Sequence, residues 1–313
     1  AGTIFAISTV GSIAGSFFAT FFLLPYFGSR ATLALCIVLV ILVSTLGLGR
    51  LKKPYFLGLL VLFLLFIPTY SKADPDLIYE TESAYNIIRI YDRNGLQTMV
   101  LNHPKLRQSF KPNFDHQPTT IREYREYFNL APFITTVDSV LVLGMSAGAS
   151  VQELRHFFNV SIDAVDIDPV VVVLAKKYFN ITEDARLTIF VEDAKTFIAR
   201  PGKAYDFIEI DLFQGGEMPF YVVTKEFFGQ VKQRLSSKGI VMMNVLGDYN
   251  NKKQVRLVRA VAETFAAVFP SVYLFPLRGN TILIATNQPT TREAISIALN
   301  NVTEQRLVPF AKN

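Results

Sequence analysis

Ser139-Val-Leu-Val-Leu-Gly-Met-Ser-Ala-Gly148 reads as a buried strand that runs into a glycine turn. About 20 residues further on, Ile162-Asp-Ala-Val-Asp-Ile-Asp168 reads as a second strand ending in acids. A strand, a turn of small residues and an acid closing the next strand form the layout of a nucleoside-binding α/β site.

Strand and helix patterns alternate outward from this point. Strands are expected at Ser139–Leu143, Ser161–Asp166, Leu187–Val191, Phe207–Asp211 and Ile240–Val245. Helices are expected near 149–158, 169–179, 194–199, 222–236 and 251–268. Such alternation gives a parallel sheet with helices on both faces. Val272-Tyr-Leu-Phe-Pro-Leu277 and Thr281-Ile-Leu-Ile-Ala285 flank Arg278-Gly-Asn280 as a closing hairpin. The expected fold is therefore α/β, a doubly wound and mostly parallel sheet ending in an antiparallel hairpin. In this it resembles the class I methyltransferase type. Ahead of it, Tyr85–Tyr91 and Gln97–Leu101 flank Asp92-Arg-Asn-Gly95, an Asn-Gly hairpin signal. Residues 102–120 are polar and irregular. From Thr120 a helical spacing runs to Phe128 and is expected to end before Pro132.

The 313 residues are half hydrophobic, and the apolar ones concentrate in the first 70. Ile4–Leu24 and Ala31–Leu48 are apolar and long enough to span a bilayer. Phe56–Thr69 is shorter but flanked by Tyr55 and Tyr70, as interfacial aromatics would be. The reading is a multi-pass anchor in the cell membrane, with lipid as a partner. The domains are then 1–70 (about three transmembrane helices), 71–120 (linker and small β domain) and 121–313 (nucleoside-binding domain). Gly11 and Gly15 in the first run would let another helix approach closely, which fits further transmembrane helices or a homo-oligomer. Arg50, Lys52 and Lys53 place their loop in the cytoplasm and residues after Tyr70 outside. A nucleoside co-substrate argues for the cytoplasm instead, so the side of the soluble part stays open.

The net charge of +5 fits basic flanks near lipid head groups, and no lysine/arginine block resembles a nucleic-acid patch. A single cysteine, Cys36, can form neither an internal disulfide nor a cysteine-cluster metal site. His103, His116 and His156 show no ligand spacing, so no metal is expected.

The chemistry follows strand ends. Small residues at Gly144, Ser146, Ala147 and Gly148 let backbone N–H groups approach a ligand. Asp166 can accept two ribose hydroxyls, since a carboxylate offers two acceptor oxygens. Asp193 and Ala194 close the third strand, where an adenine amino group would need an acceptor. Asp211 ends the fourth strand on the rim where open sheets bind substrate, and is suited to take a proton from an amine.

Together, Leu141-Val-Leu-Gly-Met-Ser-Ala-Gly148, Val165-Asp-Ile-Asp-Pro169, Val191-Glu-Asp-Ala194, Tyr205-Asp-Phe-Ile-Glu-Ile-Asp211 and Tyr124-Arg-Glu126 resemble the spermidine synthase (polyamine aminopropyltransferase) family. Asp211-Leu-Phe213, Pro219 and Thr224-Lys-Glu-Phe-Phe228 resemble its membrane-fused branch. The resemblance implies that decarboxylated S-adenosylmethionine donates an aminopropyl group to a di- or polyamine. It implies nucleoside contacts at Gly144, Gly148, Asp166 and Asp193, a base at Asp211, and an amine pocket lined by Tyr124. Two family acids are replaced, one by Ala147 in the loop and one by Gln214, so Glu126, Glu123 or Glu217 would have to hold the amine. Two alternatives stay open: a methyltransferase using S-adenosylmethionine, and a non-catalytic nucleoside- or polyamine-binding membrane protein.

Overall fold

Residues 2–29 carry no charged side chain, and helix satisfies every backbone polar group of such a segment internally. The computed structural model describes residues 2–47, 74–102, 109–112, 124–213, 217–247, 252–277 and 279–302. Helix α1 (Gly2–Phe18) continues through a π-turn (Ala19–Leu23) into α2 (Leu24–Gly47), which breaks at Gly28. The continuous stretch Gly2–Ser29 is the one helix among the described residues long and apolar enough to cross a membrane. The second apolar run forms a shorter helix, Ala31–Val43, and the third, Phe56–Thr69, lies outside the described residues. A Cβ on Gly11 or Gly15 would meet nothing within 4 Å, so that face is open among the described residues.

The chain divides into two units, Ala1–Ile87 and Ile88–Asn313. The first also holds strand β1 (Leu77–Glu82). The expected hairpin is formed by β2 (Ile87–Arg93) and β3 (Leu96–Leu101), antiparallel. Asn94 and Gly95 both take positive φ, 54° and 84°, the geometry a two-residue hairpin turn requires. A short strand β4 (Ser109–Phe110) pairs with β3.

The 3₁₀ helix Tyr124–Leu130 leads into α3 (Ala131–Ile134). The expected stop before Pro132 is not seen. Pro132 occupies the first turn of α3, where a missing N–H costs nothing. Strands β5 (Ser139–Leu143), β6 (Ser161–Asp166), β7 (Leu187–Val191), β8 (Tyr205–Ile210) and β9 (Leu235–Leu246) follow, with β10 (Ser271–Pro276) and β11 (Asn280–Thr286) at the end. Their order is β10-β11-β9-β8-β5-β6-β7. Strands β9, β8, β5, β6 and β7 run parallel, and β11 and β10 pair antiparallel at the other edge. This is the doubly wound sheet with the closing hairpin read from the sequence.

Alternation along the strands builds two cores. Val140, Val142, Ile162, Phe207 and Met242 face one side; Leu141, Leu143, Val165, Ile208 and Val241 face the other. Helices α4 (Ala149–Phe157), α5 (Pro169–Tyr178) and α9 (Arg292–Asn300) supply Leu154, Val172 and Ile295 to the first core. Helices α6 (Ala194–Ala199), α7 (Lys225–Gln233) and α8 (Lys252–Ala266) supply Phe197, Phe228 and Phe265 to the second. Each such side chain, fully buried, contributes about 1.5–3 kcal/mol. Strand ends from β5, β6 and β8 are thereby held together at one rim.

Candidate active site

The turn after β5 is shaped first by the chain's own packing. Gly144 has φ 94°, and a Cβ there would stand 2.2 Å from the Asp211 carbonyl oxygen. The end of β8 crosses against this glycine, with the Asp211 N–H donating to Leu143 O at 2.9 Å. Gly148, φ 78°, leaves space that Ile181 fills. The sequence assigned these glycines to ligand approach; each is already required for internal contact. Ser146 has φ 49°, and its buried hydroxyl oxygen has no partner among the described residues. Ala147 is wholly buried.

The three acids of β6 and its exit separate by role. Asp163 accepts from the Tyr205 hydroxyl at 2.7 Å and pairs with Lys203. Asp168 caps α5 through Val170 N–H at 3.0 Å. Asp166 reaches the glycine turn, accepting from Ser146 N–H at 2.8 Å and Asp168 N–H at 3.0 Å. Burial pushes its pKa up to about 6, against those two backbone bonds. Ile167 beside it leaves an apolar side chain open. Asp193 caps α6 through Thr196 N–H at 2.9 Å, and the Tyr221 hydroxyl reaches its other oxygen at 3.5 Å. Ala194 is the first residue of that helix and is buried.

At the end of β8, Asp211 is gripped from two sides. The Tyr124 hydroxyl, 87 positions away, donates to Oδ2 at 2.9 Å, and Asn244 Nδ2 donates to Oδ1 at 2.9 Å. Asn280 Nδ2 in turn donates to Asn244 Oδ1 at 2.8 Å, which fixes the orientation of Asn244. Burial pushes the Asp211 pKa up to about 6; the Asn244 and Tyr124 bonds and the charge of Arg125 oppose it. Burial, with the Asp211 charge behind it, also drives the Tyr124 phenol well above its usual range. Tyr124 and Asp211 are thus brought together. Glu126 is buried on the 3₁₀ helix, Glu217 is exposed, and Gln214 and Glu123 lie outside the described residues.

Sequence reading missed Asn244. Its signal is a polar residue inside the apolar run Val241-Met-Met-Asn-Val245, one step beyond the Ile210–Met243 pair and so level with Asp211. It also missed Glu209, which interrupts the core side of β8. Glu209 is 1% exposed and accepts from Ser150 Oγ at 2.5 Å. Nearby, Glu153 pairs with Arg125 and accepts from Asn129.

Burial raises the Glu209 pKa well above the carboxylate range, with the charges of Asp211 and Glu153 adding to the effect. The folded state therefore holds this proton more tightly than the unfolded chain. Stability then falls as pH rises above the unfolded value, until the folded-state pKa is passed. Glu209→Gln removes that loss. Its melting temperature should match the parent near pH 4 and exceed it at pH 7.5, by about 2–4 °C for each kcal/mol regained. Thermal melts of both proteins across this range check the prediction.

Comparison with known proteins identifies the scaffold. The model of the spermine/spermidine synthase domain matches residues 121–291, more than half of the chain. The chain belongs to that family. Among relatives of this synthase-family chain, a Bifidobacterium longum protein described as a probable polyamine aminopropyl transferase is 28% identical over 233 residues. That match covers 70% of this chain and 47% of the relative. Polyamine aminopropyltransferase 2 of Aquifex aeolicus is 26% identical over 303 residues, covering 91% of this chain and 61% of the relative. The chain thus spans about half to three fifths of these two relatives' length. The crystal structure of spermidine synthase from Thermotoga maritima superposes with a TM-score of 0.57 at 15% identity, covering 74% of this chain and 79% of that one. That likeness shows the shared fold.

Proposed function

We propose that this synthase-family chain is a membrane-anchored transferase that moves an aminopropyl group from decarboxylated S-adenosylmethionine to a di- or polyamine. The observation that carries it is the Tyr124–Asp211–Asn244 grip at the sheet rim, beside the Ser146–Asp166 turn. In this reading Asp166 takes the ribose hydroxyls, Ser146 Oγ gains its missing partner from the nucleoside, and Asp193 and Ala194 meet the adenine. A neutral amine attacks the carbon next to the sulfonium. The new C–N bond forms as the C–S bond breaks, methylthioadenosine leaves, and the surplus ammonium proton passes to Asp211. The protein supplies positioning and a base. With Ala147 buried, the cationic end of the donor is not gripped from that side; Glu126 and Glu217 are the acids proposed for amine recognition, and Gln214, outside the described residues, is a further proposed substrate contact.

The anchor is proposed as multi-pass, through Ile4–Leu24, Ala31–Leu48 and Phe56–Thr69, with membrane lipid as partner and the cell membrane as location. The Aquifex match supports joining anchor to enzyme, because 91% of this chain exceeds what the residues after the apolar segments could supply. Binding calorimetry with the carboxylated and decarboxylated donors tests the co-substrate; preference for the carboxylated form would remove aminopropyl transfer.

The base sets a pH limb. Asp211 accepts a proton only when ionised, and its pKa is held at about 6. Below that value kcat/KM should fall about tenfold per pH unit. Tyr124 stabilises the ionised form, so Tyr124→Phe should move the limb to higher pH. A limb unmoved by this substitution would detach Tyr124 from the base.

A further inference from the structure

The first unit contains a polar latch at the end of an apolar helix. Ile4, Phe5 and Phe21 are 75%, 75% and 61% exposed, so much of the flank of Gly2–Ser29 is open among the described residues. That helix, 28 residues long, measures about 42 Å, more than the ~30 Å hydrocarbon layer. At its end Gly28 turns to φ 76°, ψ 173°, and the Thr32 hydroxyl donates back to its carbonyl at 2.7 Å. The Ser29 N–H and hydroxyl donate to the two carboxylate oxygens of Glu82, each at 2.8 Å. The carboxylate fits because residue 28 has no side chain; a Cβ there would stand 3.0 Å from Glu82 Oε2. Strand β1 therefore supplies the anion that caps the restarted helix.

A carboxylate is costly inside hydrocarbon, so Glu82, and with it Ser29, belongs at head-group level or beyond. Two residues on one face of a membrane can be joined only by an even number of crossings. Between Ser29 and Glu82 lie two apolar runs, Ala31–Leu48 and Phe56–Thr69, separated by Arg50, Lys52 and Lys53. Their length and composition favour crossing over lying exposed to water.

We propose that the break at residues 28–30 and strand β1 share one membrane face, joined by the Ser29–Glu82 latch, while the two intervening apolar runs cross as a pair and put Arg50, Lys52 and Lys53 on the opposite face. The proposal rests on the membrane reading above, and it ties the anchor's first break to the strand that leads into the synthase domain.

The test is single-cysteine labelling of the full chain in sealed membrane vesicles, in a Cys36→Ser background, with a membrane-impermeant maleimide. Arg30→Cys and Glu80→Cys should label from the same side, and Lys52→Cys from the other, with detergent making all three equal. Labelling of Arg30→Cys and Glu80→Cys from opposite sides overturns the shared face. Labelling of Lys52→Cys with them overturns the paired crossing. An alkaline carbonate wash is run in parallel: release of the protein would sink the membrane reading itself, whereas retention with the wrong labelling sinks only the topology.

Discussion

Asp211→Asn is expected to lower kcat by about 10²–10⁴ while leaving donor affinity within a few-fold. The loss follows from chemistry, because an amide cannot take the amine's proton. Retention of the fold follows from geometry. Asn244 Nδ2 is committed as a donor, since Asn280 holds its oxygen. The new amide must therefore turn its oxygen toward Asn244 and its NH₂ toward Tyr124. The Tyr124 hydroxyl rotates from donor to acceptor, so both bonds survive. Removing a charge that burial disfavours leaves stability unchanged or raised. Single-turnover rates and donor calorimetry on one preparation separate the two effects. Unchanged turnover would take Asp211 out of the mechanism.

Gly144→Ala should be the most damaging small substitution in the domain. The added methyl meets a backbone carbonyl at 2.2 Å, and the φ of 94° is itself outside the range an alanine accepts. Left-handed strain adds about 1–2 kcal/mol and overpacking typically 1–3 kcal/mol. A loss of that size is a large fraction of a typical 5–15 kcal/mol domain stability. The melting temperature should drop by roughly 10 °C or more. Gly148→Ala is the contrast, because its obstacle is the Ile181 side chain, which can shift. A Gly144→Ala protein as stable as the parent would mean that β8 does not close on the turn as described.

Why some of this was legible beforehand is a matter of range. The hairpin at Asn94–Gly95 is written in two adjacent residues, and the sheet in the alternation of Val, Leu and Ile, so both could be read locally. Asp211 was singled out by its place at a strand end and Tyr124 through family likeness, but their mutual bond spans 87 positions and no local pattern encodes it. Asn244 became visible only once the register set β9 beside β8. β9 begins earlier than expected because Leu235 pairs with Tyr205 across an irregularity, although Ser236-Ser-Lys-Gly239 carries no strand pattern. Glu209 was passed over inside an expected strand and is a buried acid. Gly28 stands between two apolar runs and was assigned no role from the sequence. Its role depends on Glu82, which lies 54 positions away and was read as part of no motif.

Product analysis tests the central claim most directly. The detergent-solubilised full chain is incubated with decarboxylated S-adenosylmethionine and a panel of di- and polyamines, and in parallel with S-adenosylmethionine and the same amines. The account predicts methylthioadenosine and an aminopropyl-extended amine in equal amounts from the first mixture, and no turnover in the second. S-adenosylhomocysteine with a methylated product would contradict it in favour of methyl transfer, and consumption of neither donor would contradict an enzymatic role.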